Sequence, residues 1–200
     1  MSKPSELAYL SAVKLKQLIE TKQISPVELT QTYIDRIIEI DPKINSFCAK
    51  NYEQALRDAK RQEQQLMAGQ AQGLLFGLPI GIKDLEDTQD LNTTYGSMAY
   101  QHYVPKVDNE LVQRVRNAGA IILGKTNVPD MGAGANTRNP VWGATGNPFN
   151  PSLNAGGSSG GQPQLWLPVL HHCVQVQIQA GRCVFLRHCA GFMACVHRQV

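Results

Sequence analysis

With 200 residues, of which 42% are hydrophobic and 18% charged, the chain is long enough for one globular domain and too apolar for a disordered protein. A formal net charge of +3 gives no reason to expect nucleic acid or an anionic membrane as a partner. Because no run of about 18 apolar residues and no signal-peptide pattern is present, we predict a cytoplasmic protein without a transmembrane helix.

The segment after Gly161 differs in composition from the rest of the chain. Four of the five cysteines and four of the five histidines lie after residue 170. No Asp or Glu follows Asp130, and no Lys follows Lys125. We therefore treat residues 1–161 as one unit and residues 162–200 as a separate tail.

The N-terminal third predicts three helices. Apolar residues recur at helical spacing over residues 5–21. Residues 25–28 (SPVE) form a capping box with proline at the first helical position, and the helix that they start should end near Asp41-Pro42. A polar helix should cover residues 52–67.

The middle of the chain predicts strands alternating with a helix. Residues 78–82 (LPIGI) form a short apolar run that suits a buried strand. A helix over 109–118 should end at Gly119, and residues 120–123 should form the next strand. This order predicts an α/β fold, in which helices cover a sheet. The Gly-, Asn- and Pro-rich stretch 132–161 is typical of loops.

Lys83 and the glycine-rich segment 156–161 (GGSSGG) are the candidate functional features. A lysine at a strand end is most often a surface residue, but burial would lower its pKa and allow the neutral amine to act as a base. The glycine-rich segment is compatible with a flexible linker, a phosphate-binding loop or a tight loop that presents a hydroxyl group. The Gly-Lys-Ser/Thr ending of a P-loop is absent.

Four blocks of this sequence resemble the amidase signature family. Residues 77–84 (GLPIGIKD) are similar to the lysine segment of that family, and residues 124–131 (GKTNVPDM) to its next block. Residues 146–151 (GNPFNP) and 156–161 resemble its serine-rich block. The similarity extends over about residues 7–161, with the blocks in the family's order and spacing.

The resemblance implies hydrolysis of amide bonds by a Ser–Ser–Lys triad. Lys83 would be the general base, and Ser158, preceded by a cis peptide bond, would pass a proton between Lys83 and the nucleophilic serine. Ser159 would be a supporting hydrogen-bond donor. The implied fold is a mixed twisted α/β sheet flanked by helices, incomplete in this chain. The implied substrate is a small-molecule amide, without a metal or organic cofactor, and a homo-oligomer is compatible with the sequence.

The resemblance stops before the nucleophilic serine, because no serine follows Ser159. An alternative reading frame joins the last base of each codon with the first two bases of the next. In this frame the genetic code permits TDTGGSVRIP over residues 176–186 and VYGLRPS over residues 191–198, and both sequences resemble the family's continuation. The permitted serine falls at position 182, which keeps the family's spacing from Ser158. We therefore predict a frameshift just after Gly161, a poorly ordered out-of-frame tail and an inactive, functionally truncated polypeptide.

Four alternatives remain open at this point. The chain could belong to an amidotransferase subunit of the same family, which works with partner chains on a tRNA-linked substrate. It could be a non-catalytic fragment, or a small nucleotide-binding domain. The cysteines and histidines of the tail could bind zinc, but their spacing is not of the C-x2-C kind, and translation out of frame explains their number.

Overall fold

The computed structural model of the chain describes residues 4–158 and 160, and of the remainder the two strands 175–179 and 183–187. Its helices are α1 (Pro4–Leu7), α2 (Ala12–Glu20), α3 (Pro26–Ile44), α4 (Tyr52–Met67) and α5 (Glu110–Asn117). Its strands are β1 (Phe47–Lys50), β2 (Pro79–Lys83), β3 (Ile121–Thr126), β4 (Arg138–Asn139), β5 (Gly143–Ala144), β6 (Gln175–Gln179) and β7 (Cys183–Arg187).

The predicted first helix is divided into two. Residues 8–11 separate α1 from α2, so the prediction of one continuous helix over 5–21 is wrong. The physical reason is Ser11, whose hydroxyl oxygen accepts a hydrogen bond from Lys14 N (3.2 Å) and caps α2. The apolar spacing remains correct on α2, which buries Leu15 and Ile19.

Helix α3 begins as predicted and ends two residues beyond Pro42. Ser25 Oγ accepts a hydrogen bond from Glu28 N (3.0 Å), which confirms the N-terminal cap. The predicted end at Asp41-Pro42 is wrong, because α3 continues through Pro42 to Ile44.

The Asp41 carboxylate then turns the chain into β1. Its Oδ1 accepts hydrogen bonds from Ser46 N (2.6 Å) and Phe47 N (2.9 Å), while Asn45 adopts a left-handed conformation with φ of 51°. These bonds satisfy the backbone N–H groups of Ser46 and Phe47, which would otherwise be unpaired just beyond the C-terminal end of α3.

A three-stranded sheet in the order β1-β3-β2 lies between the helices. Strand β2 runs parallel to β3, and β1 runs antiparallel to β3, so the sheet is mixed. The predicted α/β fold is confirmed, because α5 lies between the two parallel strands in the sequence. Strand β1 was not predicted, since its four residues (FCAK) show no regular alternation.

The two faces of the sheet contribute to two hydrophobic clusters. The larger cluster joins the sheet to α1–α4 through Leu15, Ile19, Leu29, Tyr33, Ile37, Phe47, Ala59, Ile121 and Leu123, among others. The smaller cluster joins it to α5 through Ile82, Leu91, Val112, Val115, Ala120 and Ile122. This burial fixes β2 and β3 against the helices and thereby holds their C-terminal ends in place.

Two polar contacts fix the starts of the central strands. The buried Gln62 of α4 donates a hydrogen bond to Gly119 O (3.0 Å) and accepts one from Gly77 N (2.7 Å). Gly119 ends α5 as predicted, with φ of 89°, and a Cβ atom at this position would lie 2.7 Å from Phe76 Cα.

The stretch 132–160 is mainly loop, as predicted, with β4 and β5 as a short antiparallel pair. Isolated bridges pair Asn136 with Gly156 and Gly146 with Asn154, so the loop folds back on itself.

Among the described helices, none has the length and apolar character needed to cross a membrane. Strands β6 and β7 pair antiparallel with each other, and the rest of the predicted tail lies outside the described residues.

Candidate functional site

Lys83 lies at the C-terminal end of β2. The parallel register pairs Lys83 with Thr126 of β3, and Asp84 N donates a hydrogen bond to Thr126 O (3.0 Å) just beyond the strand. Backbone pairing on one side therefore fixes where the lysine leaves the sheet. Its side chain is half-buried rather than freely exposed, which disfavours the interpretation as an ordinary surface lysine.

Ser158 lies on the glycine-rich loop, which is anchored to the segment before β4. Gly157 N donates a hydrogen bond to Ala135 O (2.5 Å), and a Cβ atom at Gly157 would lie 3.1 Å from the Ala135 backbone. The peptide bond between Gly157 and Ser158 is cis, as the family resemblance implied. The loop is thus tied to the fold and is not a free linker.

The structure brings Lys83 and Ser158 together. Lys83 Nζ donates a hydrogen bond of 2.8 Å to Ser158 Oγ, although the two residues lie 75 positions apart in the sequence. The remaining residue of the predicted group, Ser159, lies outside the described residues.

The surroundings of Lys83 make its amine easier to deprotonate than that of an ordinary lysine. Burial lowers the pKa of the Lys83 amine below its ordinary value, and the nearby Glu86 carboxylate partly opposes this effect. A neutral amine has a free lone pair, so at a lowered pKa it can accept the proton of a hydroxyl group at hydrogen-bond distance. The short contact and the lowered pKa are therefore compatible with proton transfer from Ser158 Oγ to Lys83 Nζ.

A second lysine, to which the sequence analysis assigned no role, is buried on the neighbouring strand, where the register pairs it with Ile82. Lys125 of β3 is fully buried, and its Nζ donates hydrogen bonds to Glu86 O, Thr88 Oγ1 (3.1 Å) and Thr93 Oγ1 (3.1 Å). Burial lowers the pKa of Lys125 to about 8, against the opposing attraction of Asp84. Its three bonds fix the loop that follows Lys83.

Asp84 forms a buried polar layer together with Lys125, Thr88, Thr93 and Thr94. Its carboxylate accepts hydrogen bonds from Thr94 N (3.1 Å), Thr94 Oγ1 (2.6 Å) and Trp142 Nε1 (3.3 Å). Burial raises the pKa of Asp84, while the bonds from Thr94 and the charge of Lys125 oppose the increase. The layer joins the loop after β2 to the segment between β4 and β5, which places both segments near Lys83. A signal for it was present in the sequence, since Lys125 interrupts an otherwise apolar strand.

Within the described residues, no group of three or more His, Cys, Asp or Glu side chains is arranged to hold a metal ion. The cysteines and histidines that we considered as zinc ligands lie in the tail, where the structure describes no side chains.

Comparison with known proteins connects this site to one family. A sequence model of the Amidase family matches residues 28–164. A glutamyl-tRNA(Gln) amidotransferase subunit of Acaryochloris marina is 42% identical over 147 residues, which are 74% of this chain and 30% of that protein. The corresponding subunit of Acidothermus cellulolyticus is 38% identical over 157 residues, 78% of this chain and 31% of that protein.

Solved structures show the same relationship. A bacterial aryl acylamidase of the amidase signature family superposes with a TM-score of 0.74 at 35% identity, over 78% of this chain and 33% of that one. The peptide amidase of Stenotrophomonas maltophilia gives a TM-score of 0.70 at 30% identity, over 76% of this chain and 32% of that one. This chain therefore spans about a third of the length of its relatives. With its sequence blocks, its mixed sheet and these relatives in agreement, the chain belongs to the amidase signature family.

Proposed function

We propose that Lys83 and Ser158 are the base and the relay serine of an amide-hydrolysing Ser–Ser–Lys centre. The observation that carries the proposal is the 2.8 Å hydrogen bond between Lys83 Nζ and Ser158 Oγ at the half-buried end of β2. Burial, which lowers the pKa of Lys83, supports its role as the base. The family membership of the chain supports amide bonds as the target.

In the proposed mechanism, two protons move toward the lysine as the nucleophile attacks. The neutral Lys83 amine takes the proton of the Ser158 hydroxyl, and Ser158 Oγ takes the proton of a second serine. That serine attacks the amide carbonyl carbon, and the return of a proton to the amide nitrogen releases the amine and leaves an acyl-enzyme. Water, deprotonated by the same relay, then hydrolyses the ester and restores the second serine.

We further propose that residues 1–161 are the N-terminal part of one amidase-type domain and that residues 162–200 are translated out of frame. The shifted codons supply the second serine at position 182, in a block that resembles the family's continuation. On this basis the 200-residue polypeptide holds the base and the relay, but not the nucleophile. The gene sequence from the codon of Asn154 onward is the immediate check, since codons incompatible with the two family-like strings would exclude the frameshift.

An activity assay tests the function itself. We expect the purified 200-residue protein to release no amine from a panel of acyl p-nitroanilides and primary amides. Insertion of one base after codon 161 should yield a protein that releases amine from these substrates. Fluorophosphonate probes should label this protein at the restored serine. Turnover by the 200-residue protein that disappears in Lys83→Ala would overturn the proposed inactivity, and a well-folded but inert frame-corrected protein would overturn the proposed reaction.

A second function is supported by the similarity to glutamyl-tRNA(Gln) amidotransferase subunits, one of which is 42% identical over 147 residues. In that case the frame-corrected protein would act on a tRNA-linked substrate together with partner chains. Co-purification of such chains, and amide transfer to glutamyl-tRNA(Gln) in their presence, would identify this function. Efficient hydrolysis of small amides by the isolated protein would favour the first.

A further inference from the structure

We propose that Thr137 is a positioning residue for Ser158, because its hydroxyl group joins the two ends of the loop that carries this serine. The inference rests on the proposed role of Lys83 and Ser158, and it adds a residue that neither the sequence blocks nor the direct contacts of Lys83 include.

The Thr137 hydroxyl makes two hydrogen bonds, one on each side of Ser158. Thr137 is fully buried, its Oγ1 donates to Gly156 O (3.2 Å) and it accepts from Gly160 N (2.9 Å). A threonine hydroxyl has one hydrogen and two lone pairs, so it can make both bonds at once. The loop is thereby closed around Ser158 by a single side chain.

Backbone contacts hold Thr137 itself in place. Thr137 N donates to Ala155 O (3.1 Å), and Asn136 forms a β-bridge with Gly156. These contacts fix the N-terminal side of the loop. The bond to Gly160 extends the same support beyond Ser158, so that the serine is held from both directions.

Gly160 and Thr137 are fitted to each other. A Cβ atom built on Gly160 would lie 2.2 Å from Thr137 Oγ1 and 2.6 Å from Thr137 Cβ, both inside the 3.0 Å below which Cβ contacts essentially never occur. The hydroxyl therefore occupies the space that a side chain at residue 160 would need. Any movement of this contact would shift the loop and change the distance between Ser158 Oγ and Lys83 Nζ.

The test uses the 200-residue protein with ¹³C- and ¹⁵N-labelled lysine. It compares two variants: Thr137→Val keeps the shape of the side chain without the hydroxyl, and Thr137→Ser keeps the hydroxyl. Thr145→Val is the matched control. Thr145 is also fully buried, and its Oγ1 likewise donates one bond, to Asn45 O (2.8 Å), and accepts one, from Asn127 Nδ2 (3.0 Å). A general loss of stability would affect both valine variants alike.

We expect Thr137→Val to let water reach Lys83, so that the pKa of Lys83 rises toward its ordinary value while Glu86, the charged neighbour of the amine, stays in place. The Gly160 amide should exchange with solvent about tenfold faster or more, since its partner is lost. Thr137→Ser should restore both readings, and Thr145→Val should leave both unchanged. Gly160→Ala disturbs the same contact from the loop side and should reproduce the Thr137→Val result if that variant does not fold.

Two negative results would be distinguishable. If Lys83 titrates as an ordinary lysine in the unsubstituted protein, the proposed function fails and this inference fails with it. A different result is a lowered pKa of Lys83 that stays lowered in Thr137→Val, or that rises equally in Thr145→Val. Either outcome would overturn the positioning role of Thr137 and leave the proposed function standing.

Discussion

In the frame-corrected protein, Lys83→Met should lower kcat/KM for amide hydrolysis by about 10³-fold, within the range of 10² to 10⁴ that general acid–base groups contribute. Methionine fills the half-buried space of the lysine stem but has no amine to accept a proton. Ser158 Oγ would lose its partner at 2.8 Å, and the second serine would then have no route for its proton. The measurement is the steady-state rate of amine release, and the circular dichroism of the variant shows whether it is folded.

The pH dependence of the same reaction has a defined sign. Only the neutral amine can act as a base, and burial lowers the pKa of Lys83 below the ordinary lysine value of about 10.4. The rate should therefore increase with pH and level off at a pH below that value. The residual rate of Lys83→Met should lack this step.

Three further variants distinguish loss of the base from a general effect of the substitution. Lys106→Met, at an exposed lysine, should keep full activity. Ser158→Ala should cause a loss similar to that of Lys83→Met, and the double variant should be hardly worse than either, because residues that act as a unit are not additive. A Lys83→Met enzyme that retains most of its activity would contradict the assignment of the base.

Lys125→Ala should reduce the free energy of unfolding by about 3–5 kcal/mol, which is the usual cost of removing one partner from a buried charged network. The substitution removes an amine with three acceptors, among them Thr88 Oγ1 and Thr93 Oγ1, and leaves the buried Asp84 carboxylate without its nearby cation. Since small domains are stable by only about 5–15 kcal/mol, the variant should be close to unfolding. Urea denaturation of the 200-residue protein at pH 7 measures the difference.

The pH dependence of stability gives an independent reading of Lys125. Its pKa is about 8 in the folded protein and about 10.4 in an unfolded chain, so the unfolded state binds more protons between these values. The free energy of unfolding should therefore rise with pH from about 8 upward, and this increase should be smaller in Lys125→Ala. Lys60→Ala, at an exposed position of α4, should change neither quantity by more than about 0.5 kcal/mol. A Lys125→Ala protein as stable as the parent would show that the buried layer contributes nothing.

The elements that the sequence predicts well are those with strong local signals. The cap at Ser25 and the extent of α4 follow from neighbouring residues, and both were predicted correctly. The break between α1 and α2 was missed because it depends on a cap made by one side chain, Ser11. The end of α3 was misplaced because the residue before a proline usually avoids the helical conformation, whereas α3 contains Pro42. Strand β1 was missed because its pairing with β3 is a long-range property.

In the candidate site, too, the local sequence predicts some features, while others depend on contacts between distant segments. From the residues alone, Lys83 and Ser158 were each compatible with several interpretations, and only the family resemblance joined them. Their contact depends on the placement of β2 against β3 and on the closure of a loop 75 positions away, which no local pattern encodes. Lys125 and Thr137 were not predicted for a related reason. Both are buried polar residues whose partners come from distant segments. The charge of Lys125 in an apolar strand was a sequence signal that a buried polar group lies there, but which groups Lys125 and Thr137 bond is visible only in the fold.

The most direct test of the proposed centre is the titration of the Lys83 amine in the 200-residue protein, followed through its ¹⁵Nζ and ¹³Cε resonances and assigned with Lys83→Met. We expect Lys83 to lose its proton below pH 10.4 and Ser158→Ala to change its resonances. A Lys83 amine that titrates at the value of an ordinary exposed lysine, with resonances unaffected by Ser158→Ala, would contradict this expectation.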